Sequence, residues 1–409
     1  MRGKALLIAI LLLSSVASPA LAKIPGSFGS CTGVAAAPPA TKDNNTYIAW
    51  NLDLYRELFL IPIQPILILL YILGISPFVV VQLPGGYKCV TLFGFIPILN
   101  EKGLALTLNA VPLLDEGKGW THFHLMTDVM WYCATVKEAA ERMKSSPRYA
   151  PGPGPLTITE FLGLNYLFAD AQGGIASVEA THSDFYVFYG KNGITAQTNV
   201  HQFLKGYCPT LIELPALTGT TMRLVRAWTL MSFYAGKIDL ETIKGIMRDR
   251  EYARLNATTD PLQCSANPGL RQSICNYGET RFPAYWYGAC EEGGLMNAIK
   301  QTIIWLLMGW GGTISSFIIQ PEKGIIWWAP GNPDFFHYKP FYCADLLGME
   351  GGASGRNPMG FGLLNTVLRP ILCGSIYGSL ISTIIYMLDL FCNSSLMPMF
   401  LKIAEKLLP

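Results

Sequence analysis

The hydrophobic and polar positions along the chain follow two different periodicities. Short apolar runs that end at turn residues predict β-strands over residues 46–51 and 104–109. Apolar residues at helical spacing, with charged residues between them, predict amphipathic helices over residues 136–144 and 240–250. Strands separated by helices indicate an α+β domain with antiparallel sheets.

Two further pairs of strands are predicted as β-hairpins from the turns between them. Strands over residues 185–189 and 194–198 flank a Gly-Lys-Asn-Gly turn, and Gly and Asn tolerate the backbone of a tight reversal. Strands over residues 313–319 and 324–328 flank a Pro-Glu-Lys turn. We expect each pair to hydrogen-bond across its own turn.

Residues 58–84 form a hydrophobic insertion that does not fit an ordinary soluble domain. No charged residue occurs in it, and Pro62, Pro65, Gly74 and Pro77 interrupt it, so a single straight membrane span is awkward. Two interpretations stay open: a hydrophobic hairpin that contacts lipid or lines an acyl tunnel, and a plain core insertion.

Both chain ends carry signals for a membrane. Residues 1–22 have Arg2 and Lys4, an apolar stretch and an Ala-Leu-Ala cleavage site, which predicts a signal peptide, with an N-terminal anchor as the alternative. Residues 366–391 contain a run of 19 uncharged residues and predict a transmembrane anchor, with a buried core helix as the alternative. A Gly-rich linker, 351–365, precedes the anchor, and a short tail, 392–409, follows it.

The overall composition supports an exported protein. Hydrophobic residues make up 51% of the 409, and charged residues make up 14%, against about 25% in ordinary soluble domains. A net charge of +2 offers no electrostatic case for nucleic acid as a partner. Export allows disulfides, and Cys264, Cys275 and Cys290 are close enough in sequence to pair in a connectivity that stays open.

Cys31 is the candidate nucleophile. It follows the predicted signal peptide after the short segment 23–30, which we predict to be a propeptide. A cysteine at a chain terminus can use its own α-amine as the base, because the pKa values of an α-amine and a thiol are nearly matched. The alternative is that Cys31 is one half of a disulfide.

Several short motifs occur in the order found in one enzyme group. Cys31-Thr32 is followed by Asn51-Leu52-Asp53, by an Asn-Glu-Lys-Gly-Leu strand that ends at Asn109, by Thr198-Asn199, and by the strand pair over residues 313–333. The set resembles the N-terminal-nucleophile (Ntn) hydrolases, which include the penicillin acyltransferase (peptidase C45), choloylglycine hydrolase and acid ceramidase groups. The matches cover about residues 31 to 340.

The resemblance implies a four-layer αββα sandwich over a catalytic domain of residues 31–350. It also implies that autocleavage exposes the amine of Cys31, that Asp53 contacts that amine, and that Asn109 and Asn199 stabilise the oxyanion. No cofactor is expected, and no metal, because the sequence contains neither CxxC nor HxxxH.

The sequence departs from the group where a cation is expected. Trp50 stands before Asn51, where the related acylases often have arginine. Arg271 and Arg281 are candidates to supply the missing cation from elsewhere in the chain.

The expected function is that of a cysteine Ntn amidohydrolase or acyltransferase at the extracellular face of a membrane. Its partners would be a small-molecule amide or N-acyl amphiphile and membrane lipid. If Asp53 and Asn109 share one site, the insertion between them must turn back, because a single crossing would separate them. The alternative is a Cys-lipidated or catalytically degenerate binding protein. The acyl group, the amine, the acceptor and the oligomeric state stay open.

Overall fold

The fold was examined in a computed structural model of the chain. The structure describes residues 31–53, 76–152, 163–204, 218–249, 313–331, 336–358 and 375–394, together with residues 67, 70, 71, 333, 361, 365, 373, 396, 397 and 399. The predicted signal peptide, the propeptide, Cys264, Cys275, Cys290, Arg271 and Arg281 all lie outside these residues.

Fifteen strands are described, and two large antiparallel sheets contain most of them. The first sheet has the order β12-β1-β2-β13-β14-β15. Its strands are β1 (Thr32–Ala36), β2 (Tyr47–Asp53), β12 (Ile194–Thr198), β13 (Thr313–Gln320), β14 (Ile325–Ala329) and β15 (Lys339–Tyr342). Every residue of β1 and β2 is buried, because both faces of this part of the sheet are covered.

The second sheet has the order β11-β10-β9-β6-β5-β4-β3. Its strands are β3 (Phe78–Gln82), β4 (Lys88–Leu92), β5 (Ile96–Asn100), β6 (Ala105–Ala110), β9 (Leu164–Ala169), β10 (Ile175–Ala180) and β11 (Phe185–Tyr189). A short separate pair consists of β7 (Glu116–Gly117) and β8 (Ala150–Pro151).

Helices cover the outer faces of both sheets. Helices α1 (His122–Tyr132) and α2 (Val136–Ser145) pack on the second sheet, and α3 (Thr218–Tyr234) and α4 (Leu240–Met247) pack on the first. The layers therefore run helix, sheet, sheet, helix, with the core between the facing sheets. Thr121, Thr135 and Asp239 begin α1, α2 and α4, and each side chain accepts a hydrogen bond from a free N–H of the first turn.

The structure confirms one predicted hairpin and corrects the other. Strands β13 and β14 pair across a 3₁₀ turn at Pro321–Lys323, which ends at Gly324 with a φ of +62°. By contrast, β11 pairs with β10 in the second sheet, whereas β12 pairs with β1 in the first. The turn at residues 190–193 thus carries the chain from one sheet to the other, because turn chemistry specifies a reversal but not the strand that receives it.

The end of the hydrophobic insertion is part of the core. Strand β3 is the edge of the second sheet, and Phe78 packs edge-on against Phe317 and Trp328 of the first. Asn365 covers this edge: its amide oxygen accepts from the Val80 N–H, and its amide nitrogen donates to the Phe78 carbonyl. Leu67 and Tyr71 are also buried, and most of residues 54–75 lies outside the described residues.

The C-terminal segment forms a helix that lies against the domain. After the short helix α5 (Ala344–Leu347), helix α6 spans Ser375–Cys392. The prediction of a transmembrane anchor over residues 366–391 is not supported, because the described part of the chain contains no helix long and apolar enough to cross a membrane.

Candidate active site

Cys31 lies directly before β1, with its side chain buried between the sheets. It is a free thiol, and its Sγ is 3.8 Å from the main-chain oxygen of Asp53. Burial, with the negative charge of Asp53, raises the pKa of the thiol to about 12, although Arg223 and Trp50 work in the opposite direction. The thiol is therefore protonated at neutral pH, and a nucleophilic reaction needs a base beside it.

Asp53 is the last residue of β2, the strand that pairs with β1. The register places Thr32 opposite Asn51, so the neighbouring Cys31 lies at the end of β2 where Asp53 is found. The Asp53 carboxylate is buried and accepts a 2.6 Å hydrogen bond from the Thr313 hydroxyl on β13. Three adjacent strands thus hold a carboxylate beside the thiol.

Asn109 approaches from the second sheet because Gly33 allows the two sheets to come close. A methyl group on Gly33 would lie 3.0 Å from Leu167, 3.1 Å from Thr107 and 3.6 Å from Nδ2 of Asn109. Asn109 is fully buried near the end of β6, and its Oδ1 has no hydrogen-bond partner within the described residues. The amide of Asn109 therefore lies beside Gly33 of β1, the strand that directly follows Cys31.

Asn199 connects the two sheets at the same end. It follows Thr198, which pairs with Thr32. Its Nδ2 donates a 2.7 Å hydrogen bond to the Ala110 carbonyl, next to Asn109, and its Oδ1 accepts one of 3.3 Å from Arg223. The structure thus brings together all four residues that the sequence nominated, whereas their catalytic roles stay predictions.

Arg223 is the residue that the sequence analysis missed. It is fully buried on α3, and its Nη1 donates to the Cys31 carbonyl at 2.6 Å and to the Thr32 hydroxyl at 2.7 Å. Its positive charge favours the Cys31 thiolate. A cation is therefore present, and it comes from a helix rather than from the position of Trp50.

A signal for Arg223 did exist in the sequence. Residues 218–234 contain only two charged residues, Arg223 and Arg226, which lie three positions apart and therefore on one face of a helix. Charged residues inside an otherwise uncharged helix are rarely buried without partners, so they indicate a site or a structural ion pair.

Trp50 also belongs to the site. It pairs with Gly33, two residues from Cys31, so its side chain points to the same face of the first sheet as the thiol. Its ring packs against Phe317 at 5.8 Å between centroids, and its buried indole N–H works to lower the pKa of the Cys31 thiol, although this N–H has no hydrogen-bond partner within the described residues. A neutral donor thus occupies a position where related acylases often have a charged one.

The described residues contain no group of three or more His, Cys, Asp or Glu side chains that could hold a metal ion. The expectation that the chemistry needs no metal stays a prediction.

Comparison with solved structures found similarity to two proteins. One similar structure is penicillin V acylase from Agrobacterium tumefaciens, with 13% identity, a TM-score of 0.41, and coverage of 81% of this chain and 94% of that one. Conjugated bile acid hydrolase from Clostridium perfringens is similar in two variants. A cysteine-to-alanine mutant has 14% identity, a TM-score of 0.34, and coverage of 76% of this chain and 96% of that one. An arginine-to-leucine variant has 14% identity, a TM-score of 0.33, and coverage of 80% of this chain and 99% of that one.

The structural neighbours are Ntn hydrolases, the group that the sequence motifs resemble. No family model matches the chain, and no curated protein matches it in sequence. At these identities and TM-scores the similarity carries no argument about function, which has to be argued from the residues of this chain.

Proposed function

We propose that the protein is an exported cysteine Ntn hydrolase that cleaves or transfers the acyl group of a non-peptide amide through a thioester on Cys31. The observation that carries the proposal is the convergence of Cys31, Asp53, Asn109 and Asn199 at one end of the two sheets, with Arg223 bound to the Cys31 carbonyl. Acyl transfer needs a nucleophile, a base and donors aimed at the oxyanion, and these residue types can supply all three.

The amine of a mature N-terminal Cys31 would act as the base. It takes the proton of the thiol as sulfur attacks the amide carbon, and it returns that proton to the leaving amine when the C–N bond breaks. Water or a second amine then attacks the thioester and releases the thiol. Asp53 would hold the amine by a charge-assisted hydrogen bond.

The oxyanion would be stabilised from the second sheet and from β12. Asn109 and Asn199 would each contribute an amide N–H donor. Arg223 would act on the nucleophile, because its contacts to the Cys31 carbonyl, the Thr32 hydroxyl and the Asn199 amide hold these groups in one arrangement.

Maturation would use the same thiol. Attack of the Cys31 sulfur on the Ser30 carbonyl moves the acyl bond from nitrogen to sulfur, and hydrolysis of that thioester frees the α-amine and the segment that ends at Ser30. Burial raises the pKa of the thiol to about 12, so in the mature enzyme the thiol would stay protonated until the freed α-amine takes its proton.

N-terminal sequencing, together with a thiol-reactive acyl probe, tests the proposal. We expect the mature chain to begin at Cys31 and the probe to label Cys31. The Cys31→Ala variant should keep residues 23–30 and take no label, and Cys133→Ala, which removes another buried cysteine, should mature and label normally. A mature wild-type chain that begins at Lys23 would exclude the amine as the base.

A catalytically degenerate binding protein is the second candidate, and the replacement of a cation by Trp50 favours it. For such a protein we expect a mature chain that begins at Cys31, but no labelling of Cys31 by the acyl probe while the protein stays folded. A lipid mass on Cys31 would point instead to a lipidated protein.

A further inference from the structure

Helix α6 has an outer face that is unlike the surface of the rest of the domain. Among the side chains of the helix that the structure describes, residues 378–392, seven apolar ones are exposed, and Tyr386 and Met387 are each more than 60% exposed. They are Leu380, Ile384, Tyr386, Met387, Leu388, Leu390 and Phe391. Ser379, Ser382 and Thr383 are exposed as well, so this surface is uncharged and mostly apolar. A large exposed apolar surface on a folded domain marks a contact with something outside it.

The helix lies flat against the domain because both of its ends are attached there. Near its start, Gly378 packs so closely on Pro84 that an added methyl group would lie 2.7 Å from the ring. Near its end, Asp389 accepts hydrogen bonds from the Thr121 N–H and from His124, and the Asn393 amide bonds to Gly119. Over 18 residues, or about 27 Å, the axis therefore follows the surface.

Asp389 is the one charged residue of α6, and it faces inward. Burial works to raise the pKa of Asp389, but the hydrogen bonds from His124 and Thr121 outweigh it and hold the pKa below its usual range. Its charge is thus kept against the domain, and the outward face has none. Thr383, which faces outward, donates its hydroxyl hydrogen to the Ser379 carbonyl at 2.7 Å.

We propose that α6 is an in-plane membrane helix whose outer face enters the interfacial region of a lipid bilayer. An interfacial helix needs an uncharged and largely apolar outer face, and α6 provides one; the exposed Thr383 hydroxyl is bonded within the helix, and the exposed Ser379 and Ser382 hydroxyls would face headgroups and water. The apolar surface continues beyond the helix at exposed Leu396 and Met399, where a protein interface would end in a polar rim. Residues 400–409 are mostly apolar in sequence, and Lys402 and Lys406 outnumber Glu405, which suits anionic headgroups.

The attachment at both ends also determines the orientation. A spanning helix would carry one end away from the domain by the thickness of the bilayer, which the contacts at Pro84 and at Thr121 do not allow. The C-terminal end of α6 contacts Thr121, next to His122, whose ring accepts from the Leu164 N–H; Leu164 pairs with Ala110 beside the candidate site. The C-terminal end of α6 is therefore linked through Thr121, His122 and Leu164 to β6, the strand that carries Asn109.

Co-sedimentation of the full chain with phosphatidylcholine vesicles, with and without phosphatidylserine, tests the proposal. We expect the double variant Ile384→Glu/Met387→Glu to lower the vesicle-bound fraction about tenfold or more, because two charges must enter the apolar region. The control Tyr189→Glu/Phe233→Glu places charges at two side chains that are 51% exposed on other faces, and it should bind like the wild type. Near-wild-type thermal unfolding of both variants shows that the fold is kept.

Three results would overturn the proposal. The first is equal vesicle binding by the α6 variant and the wild type. The second is a wild-type dimer that the α6 variant converts to a monomer without any vesicle binding, which would make a second copy the occupant. The third is binding that disappears at high salt and depends on Lys402 and Lys406 alone, which would assign it to the tail.

Discussion

Two arginines on the same helix show how one residue type can serve two purposes. Arg223 and Arg226 are three residues apart on α3, and both are fully buried. Arg226 makes a bidentate ion pair with Asp249, at 2.9 and 2.6 Å. Arg223 binds instead to the Cys31 carbonyl, to the Thr32 hydroxyl and to the Asn199 amide.

The difference lies in the partner and not in the burial. Arg226 forms an ion pair with Asp249 on the loop after α4, and this pair holds α3 against that loop. The charge of Arg226 is neutralised there and is not directed at the candidate site. Arg223 directs its charge to the end of the strand where the nucleophile lies. Burial of a cation is therefore weak evidence of function, and the chemistry of its partners decides.

The first prediction concerns the Cys31 thiol, the group beside which Arg223 is held. Cys31→Ala should lower amide turnover by at least about four orders of magnitude, because the sulfur that forms the thioester is absent. Turnover of a panel of N-acyl amides measures the effect. Residual activity within about tenfold of the wild type would mean that Arg223 does not serve a nucleophile.

The second prediction breaks the structural pair. Arg226→Met should lower the free energy of unfolding by about 3–5 kcal/mol, because the buried carboxylate of Asp249 loses its bidentate ion pair. The matched double variant Arg226→Met/Asp249→Leu should recover most of that loss in denaturant unfolding. Turnover per folded molecule should stay near the wild-type value, and a specific loss of turnover would remove the distinction between the two arginines.

The third prediction concerns Arg223 itself. Arg223→Met should lower turnover about 10²–10³-fold, the usual cost of removing one preorganised electrostatic group from a site. Since Arg223 lowers the pKa of the Cys31 thiol, its removal should raise that pKa, and the pH profile of Cys31 alkylation should move to higher pH. A profile that stays in place, with turnover unchanged, would make Arg223 a second structural arginine.

The fourth and smallest effect is expected at Trp50. Trp50→Phe keeps the aromatic packing on Phe317 and removes a buried N–H that works to lower the pKa of the Cys31 thiol. Because this N–H has no hydrogen-bond partner within the described residues, turnover should fall at most about three- to tenfold, the range for one hydrogen bond. The thermal midpoint should barely change. A loss as large as that of Arg223→Met would mean that Trp50 has taken over part of the cation's role.

Local patterns were enough to predict many of the elements. The amphipathic spacing at residues 136–144 predicted α2, which spans Val136–Ser145, and the apolar run before Asn109 predicted β6. The turn at 321–323 correctly predicted a hairpin, whereas the similar turn at 190–193 did not. Turn residues determine only the conformation of the backbone next to them. The pairing of β12 with β1 depends instead on how the two sheets pack.

The sequence by itself determined which residues are candidates: ordered motifs nominated Cys31, Asp53, Asn109 and Asn199 from their chemistry and spacing. Only the tertiary structure decided that Arg223, 192 residues away from Cys31, is the cation beside them. It also decided that the apolar run after residue 374 is a helix held flat on the domain by Asp389 and Asn393. Both outcomes depend on contacts between distant parts of the chain, which periodicity and local propensity do not encode.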